Sequence, residues 1–335
     1  MAQGEIPPQG AHVSDRWAVW RAAISLTEYD ARWERLASAG RATHGEADFI
    51  ESLLPRSVLD AGCGMGRVSI ELHRRGIDVM GIDLDDDLLE FARLRGPDLR
   101  WQHANLATVQ LDRRFDLVAM PGNVMIFCRP EDRLAIVHTA AQHLHPGGKV
   151  VAGFSLESGP DSLTLAEYDA LCDACELELV ERWATWERAP FEGGDYAVSV
   201  HQRSDRFNVH DLLFEARGLV QRVTVHELAA SLDSAAPPML VDVRSAADRH
   251  REGKIAGSIH IARTELEWRL DPANGYRHPA APGFDQPIVV ACNDGYSSSL
   301  AAANLVRLGF LRVGDVIGGV RAWRAAGLPV EETDR

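Results

Sequence analysis

Long hydrophobic runs, a cysteine framework and lysine are all missing or scarce in this sequence. No window approaches the roughly 20 consecutive apolar residues that a membrane-spanning helix requires, so we predict no membrane span. The five cysteines are odd in number and scattered, which predicts reduced thiols and no disulfide framework. The first residues lack a basic start and an apolar segment, so we expect no export signal and a cytoplasmic protein. Only Lys149 and Lys254 are lysines, which we attribute to coding bias.

Acidic side chains outnumber basic ones, and the excess lies in the first part of the chain. The sequence carries 35 Lys and Arg against 49 Asp and Glu, a formal net charge of −14. Residues 218–335 hold 13 of those basic and 14 of those acidic residues, so the earlier part holds nearly all of the net charge. A strongly acidic surface repels phosphate backbones, so we expect no nucleic-acid partner. A length of 335 residues predicts two domains.

Hydrophobic periodicity predicts two α/β domains. From about residue 56, short β-branched runs alternate with helical stretches, which is typical of a doubly wound, Rossmann-like parallel sheet. Two later runs alternate like antiparallel strands around Gly193-Gly194 and would close one edge of that sheet. A second alternation of strands and helices begins at about 221. We therefore predict a first domain over 1–204, after a helical lead-in that reaches residue 50, a linker over 205–220 and a second α/β domain over 221–335.

A glycine-rich loop follows the first predicted strand. Asp60 precedes the spacing G-x-G-x-G formed by Gly62, Gly64 and Gly66, and a second acid, Asp83, ends the next strand. Glycines let the backbone approach a ligand, and the following helix start presents free N–H groups. The spacing differs from the G-x-G-x-x-G of dinucleotide-binding enzymes, which argues against a nicotinamide oxidoreductase. The alternative is that both acids only cap or satisfy local backbone groups.

These motifs together resemble class I S-adenosylmethionine-dependent methyltransferases. The resemblance implies that S-adenosylmethionine is the cofactor, that Asp60 and the glycine loop hold its methionine part, and that Asp83 accepts from the ribose hydroxyls. The motif for methylation of nucleobase or glutamine amino groups is absent, and this absence favours a small-molecule methyl acceptor. No general base can be named. The residues implied in cofactor binding are Asp60, Gly62, Gly64, Gly66, Asp83, Leu84, Ala104, Asn105 and Met120.

A lone cysteine, Cys292, ends the apolar run 288–291 and is followed by a polar loop and a helical stretch. This placement fits either a small packing residue or a nucleophile at the mouth of a helix. A cysteine at a helix start has its pKa lowered by the loop N–H groups, which would favour the nucleophile. Gly295 supplies the backbone freedom that a loop curling around the sulfur requires.

The second half resembles the rhodanese sulfurtransferases. The motif residues are Asp242 and Arg244, followed late in the chain by Gly318, Gly319 and Trp323. The resemblance implies that Cys292 carries sulfur as a persulfide, that Asp242 and Arg244 belong to the catalytic set, and that a loop cradles the persulfide. The residues of that predicted cradle are Asn293, Asp294, Gly295, Tyr296 and Ser297.

The loop also departs from related families. Ser297 stands where many thiosulfate-using rhodaneses carry a basic residue, and Ser298 stands where phosphatase loops need arginine, which argues against phosphate chemistry. Thiosulfate, mercaptopyruvate and a protein persulfide are the candidate sulfur donors. The alternative is a non-catalytic binding or regulatory module. We expect no metal site, and Cys172 and Cys175 are predicted to pack in the core. The fusion suggests that both halves act in one sulfur pathway.

Overall fold

The computed structural model describes residues 14–28, 31, 35, 44–157, 159 and 161–332. The chain forms two compact units, Met1–Arg206 and Phe207–Arg335. Much of the helical lead-in predicted before residue 50 lies outside the described residues. None of the helices in the described ranges is long and apolar enough to cross a membrane.

The first unit is built on a seven-stranded sheet. Its order is β3-β2-β1-β4-β5-β7-β6, with β7 antiparallel to both of its neighbours and all other pairs parallel. The predicted doubly wound sheet with antiparallel edge strands is thereby confirmed. The strands are β1 (Ser57–Ala61), β2 (Asp78–Asp83), β3 (Arg100–His103), β4 (Phe115–Met120), β5 (Leu144–Ser155), β6 (Leu177–Trp183) and β7 (Tyr196–Arg203).

Helices cover both faces of this sheet and enclose two apolar clusters. One cluster contains Phe115 and Tyr168, together with the free thiols of Cys172 and Cys175, and the other contains Phe49 and Leu72. A parallel sheet that is covered on both faces requires nearly continuous apolar strands, and β1 and β4 are buried at almost every position. The described helices are α1 (Asp15–Ala23), α2 (Gly45–Glu51), α3 (Arg67–Arg74), α4 (Asp86–Arg95), α5 (Val124–Phe127), α6 (Arg133–Gln142) and α7 (Leu165–Asp173).

The strand order of the first unit reverses at β1, which pairs with β2 on one side and β4 on the other. In doubly wound sheets the crevice beyond the carboxyl ends of the strands at such a reversal binds ligands. The glycine loop leaves β1 at this point, and the predicted loop residues are therefore in the position where a cofactor site is expected.

The second unit contains a five-stranded parallel sheet in the order β10-β9-β11-β12-β8. Its central strand is β11, all four residues of which are buried, and Cys292 follows it directly. The elements are α8 (Val209–Leu219), β8 (Gln221–Val223), α9 (Val225–Leu232), β9 (Met239–Asp242), α10 (Ala246–Glu252), β10 (Ile259–His260), α11 (Leu266–Leu270), β11 (Ile288–Ala291), α12 (Ser297–Arg307), β12 (Val313–Val316) and α13 (Gly319–Ala325).

The segment predicted as a linker, 205–220, contains helix α8. Asn208 and Asp211 form a capping box that begins the helix, and Leu213 and Ala216 are buried. Helix α8 packs against α12, the helix that follows Cys292. The helix is therefore an integral layer of the second unit.

Candidate functional sites

The three glycines of the first loop all adopt left-handed backbone, with φ of +82°, +54° and +78° at Gly62, Gly64 and Gly66. A Cβ at Gly62 would come within 2.6 Å of the Val124 side chain, and one at Gly66 would overlap the ring of Trp101. A Cβ at Gly64 would meet no atom within 4 Å. The outer glycines thus permit close packing, whereas Gly64 faces open space.

The two acids of the motif lie beside this loop. The Asp60 side chain is fully buried; its Oδ2 accepts from Ser69 Oγ at 2.6 Å, while its Oδ1 has no partner among the described residues. Burial raises the pKa of Asp60 to about 6. Asp83 accepts from the N–H groups of Gly64 at 2.7 Å and Asp85 at 2.9 Å, and burial raises its pKa. Asp85, not Asp83, is the N-cap of α4.

Asp60, Gly62, Gly64 and Asp83 line one cavity of about 600 Å³, whereas Gly66 is not among its lining residues. Leu84 and Asn105 also line it, whereas Ala104 and Met120 are not among its lining residues and instead belong to the core cluster or pack against it. The cavity lies in the size range of small-molecule sites. The open space at Gly64, the Oδ1 of Asp60 that has no partner among the described residues and the carboxylate of Asp83 fit the methionine and ribose portions of S-adenosylmethionine.

An aromatic wall of the cavity was not predicted from the sequence. Trp17 and Trp20 of α1 and Phe127 of α5 line the cavity, and the rings of Trp20 and Phe127 lie 5.6 Å apart. Helix α1 is held in place by the Ser14 N–H, which donates to the Phe127 carbonyl at 3.1 Å, and by the ion pair of Arg21 with Asp85 at 2.7 Å. The spacing of Trp17 and Trp20 on one helix face is the signal that could have indicated it.

Acidic side chains line another part of the same cavity. Glu46 forms an ion pair with Arg67, and hydrogen bonds from Arg74 and then from Arg75 lower the pKa of Glu71 to about 2. The His44 ring lies with its Nε2 3.9 Å from Glu71, and its Nδ1 has no partner in the described ranges. The cavity therefore combines an aromatic wall with carboxylates that are paired with arginines.

In the second unit, a tight loop surrounds the thiol of Cys292. The Gly295 N–H donates to Sγ at 3.1 Å, and Ser298 Oγ lies 3.2 Å from the same sulfur. Burial by itself raises the pKa of the Cys292 thiol, but hydrogen bonds from the side chains of Ser297 and Ser298 and from the loop backbone reverse the effect and lower it. A Cβ at Gly295, where φ is +74°, would lie 2.7 Å from the Gly318 nitrogen. Only glycine fits there without moving backbone.

The side chains of Asn293, Asp294 and Tyr296 make no hydrogen bond to the sulfur among the described residues. The Asn293 amide donates to Asp248 Oδ2 at 3.2 Å, and Asp294 forms an ion pair with Arg321 at 2.9 Å. Tyr296 is 57% exposed. Asn293 and Asp294 therefore attach the loop to neighbouring segments, and Tyr296 lies at its surface. The backbone of Gly295 and the serine hydroxyls contact the sulfur.

Asp242 and Arg244 do not meet the sulfur. Both are buried, and Arg244 Nη2 lies 2.8 Å from Asp242 Oδ2 and 2.6 Å from the Gly253 carbonyl oxygen. Arg249 Nε also donates to Asp242, at 3.0 Å. Among the hydrogen bonds of the described residues, neither motif residue contacts Cys292. The pair ties the end of β9 to α10 and the turn after it.

A buried polar network that the sequence did not reveal lies behind the cysteine loop. Ser299 Oγ donates to Asp315 Oδ2 at 2.7 Å, and Arg222 Nε donates to Asp315 Oδ1 at 3.1 Å. Arg217 of α8 donates to the Gly295 carbonyl oxygen at 3.2 Å. Arg217 lies in the segment predicted as a linker, so the sequence of the cysteine loop does not show that a basic residue lies next to it.

Two family profiles match the chain, one in each unit. The profile described as a methyltransferase domain matches residues 58–148, and the one described as a rhodanese-like domain matches residues 224–326. The first range contains the glycine loop with Asp60 and Asp83, and the second contains Cys292 and its loop.

Three known proteins show the same division. A solved TehB-like S-adenosylmethionine-dependent methyltransferase of Corynebacterium glutamicum is 32% identical with a TM-score of 0.50, covering 53% of this chain and 97% of that one. The dTDP-3-amino-3,4,6-trideoxy-alpha-D-glucopyranose N,N-dimethyltransferase of Streptomyces venezuelae is 34% identical over 31% of this chain, and the match spans less than half of that relative, 46%. Thiosulfate sulfurtransferase GlpE of Vibrio cholerae is 52% identical over 22% of this chain and 70% of its own length. The chain therefore belongs to the S-adenosylmethionine-dependent methyltransferases in its first unit and to the rhodanese-like proteins in its second.

Proposed function

We propose that the chain is a bifunctional enzyme, which methylates a small molecule in its first unit and carries sulfur as a persulfide on Cys292 in its second. The observation that supports the first activity best is the cavity in which Gly64, Asp60 and Asp83 converge. The observation that supports the second is the thiol of Cys292, which receives hydrogen bonds from its own loop.

In the first unit, the chain's own residues bind and orient. S-adenosylmethionine, when bound, supplies a methyl group on a positively charged sulfur. Asp60 Oδ1 is open to accept a hydrogen bond from an amino group, and Asp83 can accept from hydroxyls because each carboxylate oxygen has a second lone pair. Methyl transfer requires the acceptor atom to be held in line with the methyl carbon, so positioning provides most of the rate enhancement.

The walls of the cavity suit a small organic acceptor. Trp17, Trp20 and Phe127 exclude water from one side, while Glu46 and Glu71, each paired with arginine, add polar groups to another. An aromatic surface attracts a cationic ammonium group, which favours an acceptor with an amino group. The relative from Streptomyces venezuelae, which is named for N,N-dimethylation of an amino sugar, supports the same class.

The sulfur reaction follows from the Cys292 loop. The thiolate attacks the outer sulfur of thiosulfate, the sulfur–sulfur bond of the donor breaks, and sulfite leaves with the electron pair. The terminal sulfur of the resulting persulfide carries the negative charge, which the loop N–H groups and serine hydroxyls stabilise. A nucleophilic acceptor then takes that sulfur and returns Cys292 to the thiolate. The similarity to GlpE supports thiosulfate as the donor.

Calorimetry with S-adenosylhomocysteine tests the first activity. We expect binding by the wild type and a large loss of affinity in Asp83→Ala, with Asp86→Ala as the matched control because Asp86 is exposed at the start of α4 and does not line the cavity. Absence of binding by the wild type, or equal binding by Asp83→Ala, would refute the methyltransferase proposal.

Mass spectrometry of the intact protein tests the second activity. After incubation with thiosulfate, the wild type should gain one sulfur atom that cyanide removes, and Cys292→Ser should gain none. Cys128→Ser is the control, because Cys128 lines the cavity of the first unit. A wild type that gains no cyanide-removable sulfur from either thiosulfate or mercaptopyruvate would instead favour a non-catalytic binding or regulatory module.

A further inference from the structure

Helix α8 brings a half-buried arginine to the back of the sulfur loop. Arg217 Nη2 donates to the Gly295 carbonyl oxygen at 3.2 Å, Nε donates to Ser299 Oγ at 3.4 Å, and the guanidinium lies 5.5 Å from the centre of the Tyr296 ring. Arg217 precedes the range 224–326 matched by the rhodanese-like profile. No family motif therefore accounts for it.

The serine hydroxyls behind the loop have fewer protons than they have acceptors. Ser299 Oγ lies 3.1 Å from the Gly295 carbonyl oxygen and 2.7 Å from Asp315 Oδ2. Ser298 Oγ lies 3.2 Å from Cys292 Sγ and 3.4 Å from the same carboxylate oxygen. A hydroxyl donates only one hydrogen bond, so each serine can serve only one of its two acceptors.

Arg217 biases how these protons are distributed. The Gly295 carbonyl already accepts from Arg217 and lies farther from Ser299 Oγ than Asp315 Oδ2 does, so the Ser299 proton favours Asp315 and the Ser298 proton favours the sulfur of Cys292. Without the guanidinium, the Gly295 carbonyl would compete for the Ser299 proton, and Asp315 would draw the Ser298 proton away from the sulfur. The thiolate would then lose a hydrogen bond.

The charges around the loop support this assignment. Arg222 is paired with Asp315, Arg321 with Asp294 and Glu252, and Asp248 with Arg251. Arg217 differs from these arginines: within the described part of the chain, its hydrogen bonds go to a hydroxyl and a carbonyl oxygen and not to a carboxylate. Its charge therefore remains available to the loop and to an anion on Cys292.

We propose that Arg217 is a positioning residue for the sulfur chemistry of Cys292: it fixes the loop carbonyl, directs the serine protons toward the sulfur and adds positive charge behind it. The inference rests on the proposed sulfurtransferase function. Many thiosulfate-using rhodaneses carry a basic residue where this loop has Ser297. Under this proposal Arg217 supplies that positive charge from outside the loop.

The test is the pH dependence of Cys292 alkylation by iodoacetamide in the full-length protein, followed on the Cys292 peptide by mass spectrometry. The variants are Arg217→Met, which removes charge and donors, and Arg217→Lys, which keeps the charge but loses the planar fork of donors. Arg307→Gln is the matched control, because Arg307 is an exposed residue on α12 whose hydrogen bond within the described part of the chain goes to Asn304. Circular dichroism establishes that each variant is folded.

We expect the alkylation midpoint to shift to higher pH in the order wild type, Arg217→Lys, Arg217→Met. Alkylation of Arg217→Met at pH 7 should be about tenfold slower, because a nearby cation and charge-assisted hydrogen bonds lower a thiol pKa. With thiosulfate, kcat for persulfide formation should fall while KM changes little.

An unchanged midpoint in folded Arg217→Met, or an equal shift in Arg307→Gln, would overturn the inference. If Arg217→Met does not fold, the test rests on the alkylation midpoint of Arg217→Lys. A midpoint equal to that of the wild type then overturns the inference as well. Alkylation needs no sulfur donor, so a wild type that forms no persulfide refutes the proposed function without affecting this test.

Discussion

Two glycines of the first loop have the same backbone strain but different surroundings, and this difference allows a paired prediction. Alanine at Gly64 or Gly66 would hold a side chain in left-handed backbone, which costs about 1–2 kcal/mol at either position. At Gly66 the new methyl group also meets the Trp101 ring, which is anchored by its Nε1–H donating to the Gly96 carbonyl at 2.7 Å. Overpacking of this kind adds about 1–3 kcal/mol.

Gly66→Ala should therefore unfold at a lower temperature than Gly64→Ala, by about 2–12 °C for a unit of this size. Gly64→Ala should behave differently in binding, because its methyl group enters the cavity where the cofactor is expected. We expect it to weaken the binding of S-adenosylhomocysteine by about tenfold or more.

Thermal unfolding of the first unit and calorimetry with S-adenosylhomocysteine measure the two effects on the same samples. The common strain cancels between the variants, so their difference in melting temperature reports the crowding at Gly66, chiefly against Trp101 and also against Ala92. Equal melting temperatures would refute the packing argument. Wild-type affinity in Gly64→Ala would refute the assignment of that cavity to the cofactor.

Three further predictions concern buried polar groups. The pKa of Asp60 is raised from 3.8 to about 6, so the unfolded chain loses this proton at a lower pH than the folded unit does. The first unit should therefore lose about 3 kcal/mol of stability as the pH rises from about 4 through 6. Asp60→Asn should flatten stability across this range, as measured by urea unfolding. Arg244→Ala removes one of the two arginines that pair with the buried carboxylate of Asp242, leaving Arg249, and should destabilise the second unit by about 2–3 kcal/mol, whereas the exposed Arg251→Ala should change urea unfolding little; equal effects would contradict this. Ser298→Ala should raise the pH midpoint of Cys292 alkylation by about one unit, and an unchanged midpoint would remove that hydroxyl from the site.

The sequence predicted those features that depend on neighbours along the chain. The alternation of strands and helices, the glycine loop with its two acids, and a cysteine between a buried strand and a helix all follow from local periodicity and short motifs. The hairpin around Gly193-Gly194 also predicted the antiparallel edge, where β7 pairs with both β5 and β6.

Other features could not be predicted because they join distant segments. Trp17 and Trp20 line the cavity only because α1 is held on α5 and on the start of α4. Asp242 and Arg244 match the rhodanese motif, yet the motif does not say that their side chains turn toward each other and away from Cys292.

The sequence alone determined two α/β units, the class of each unit, and the residues that form the glycine loop and the sulfur loop. It could do so because a strand–loop–helix motif consists of residues that follow one another along the chain. Only the tertiary structure decided what surrounds those loops. Arg217 belongs to a helix that resembles a linker in the sequence, and Asp315 belongs to a strand that reads as ordinary core. Packing α8 against α12 and placing β12 beside β11 brings both groups behind Cys292. Hydrogen bonds and charges act over a few ångströms in space, whatever the distance along the chain.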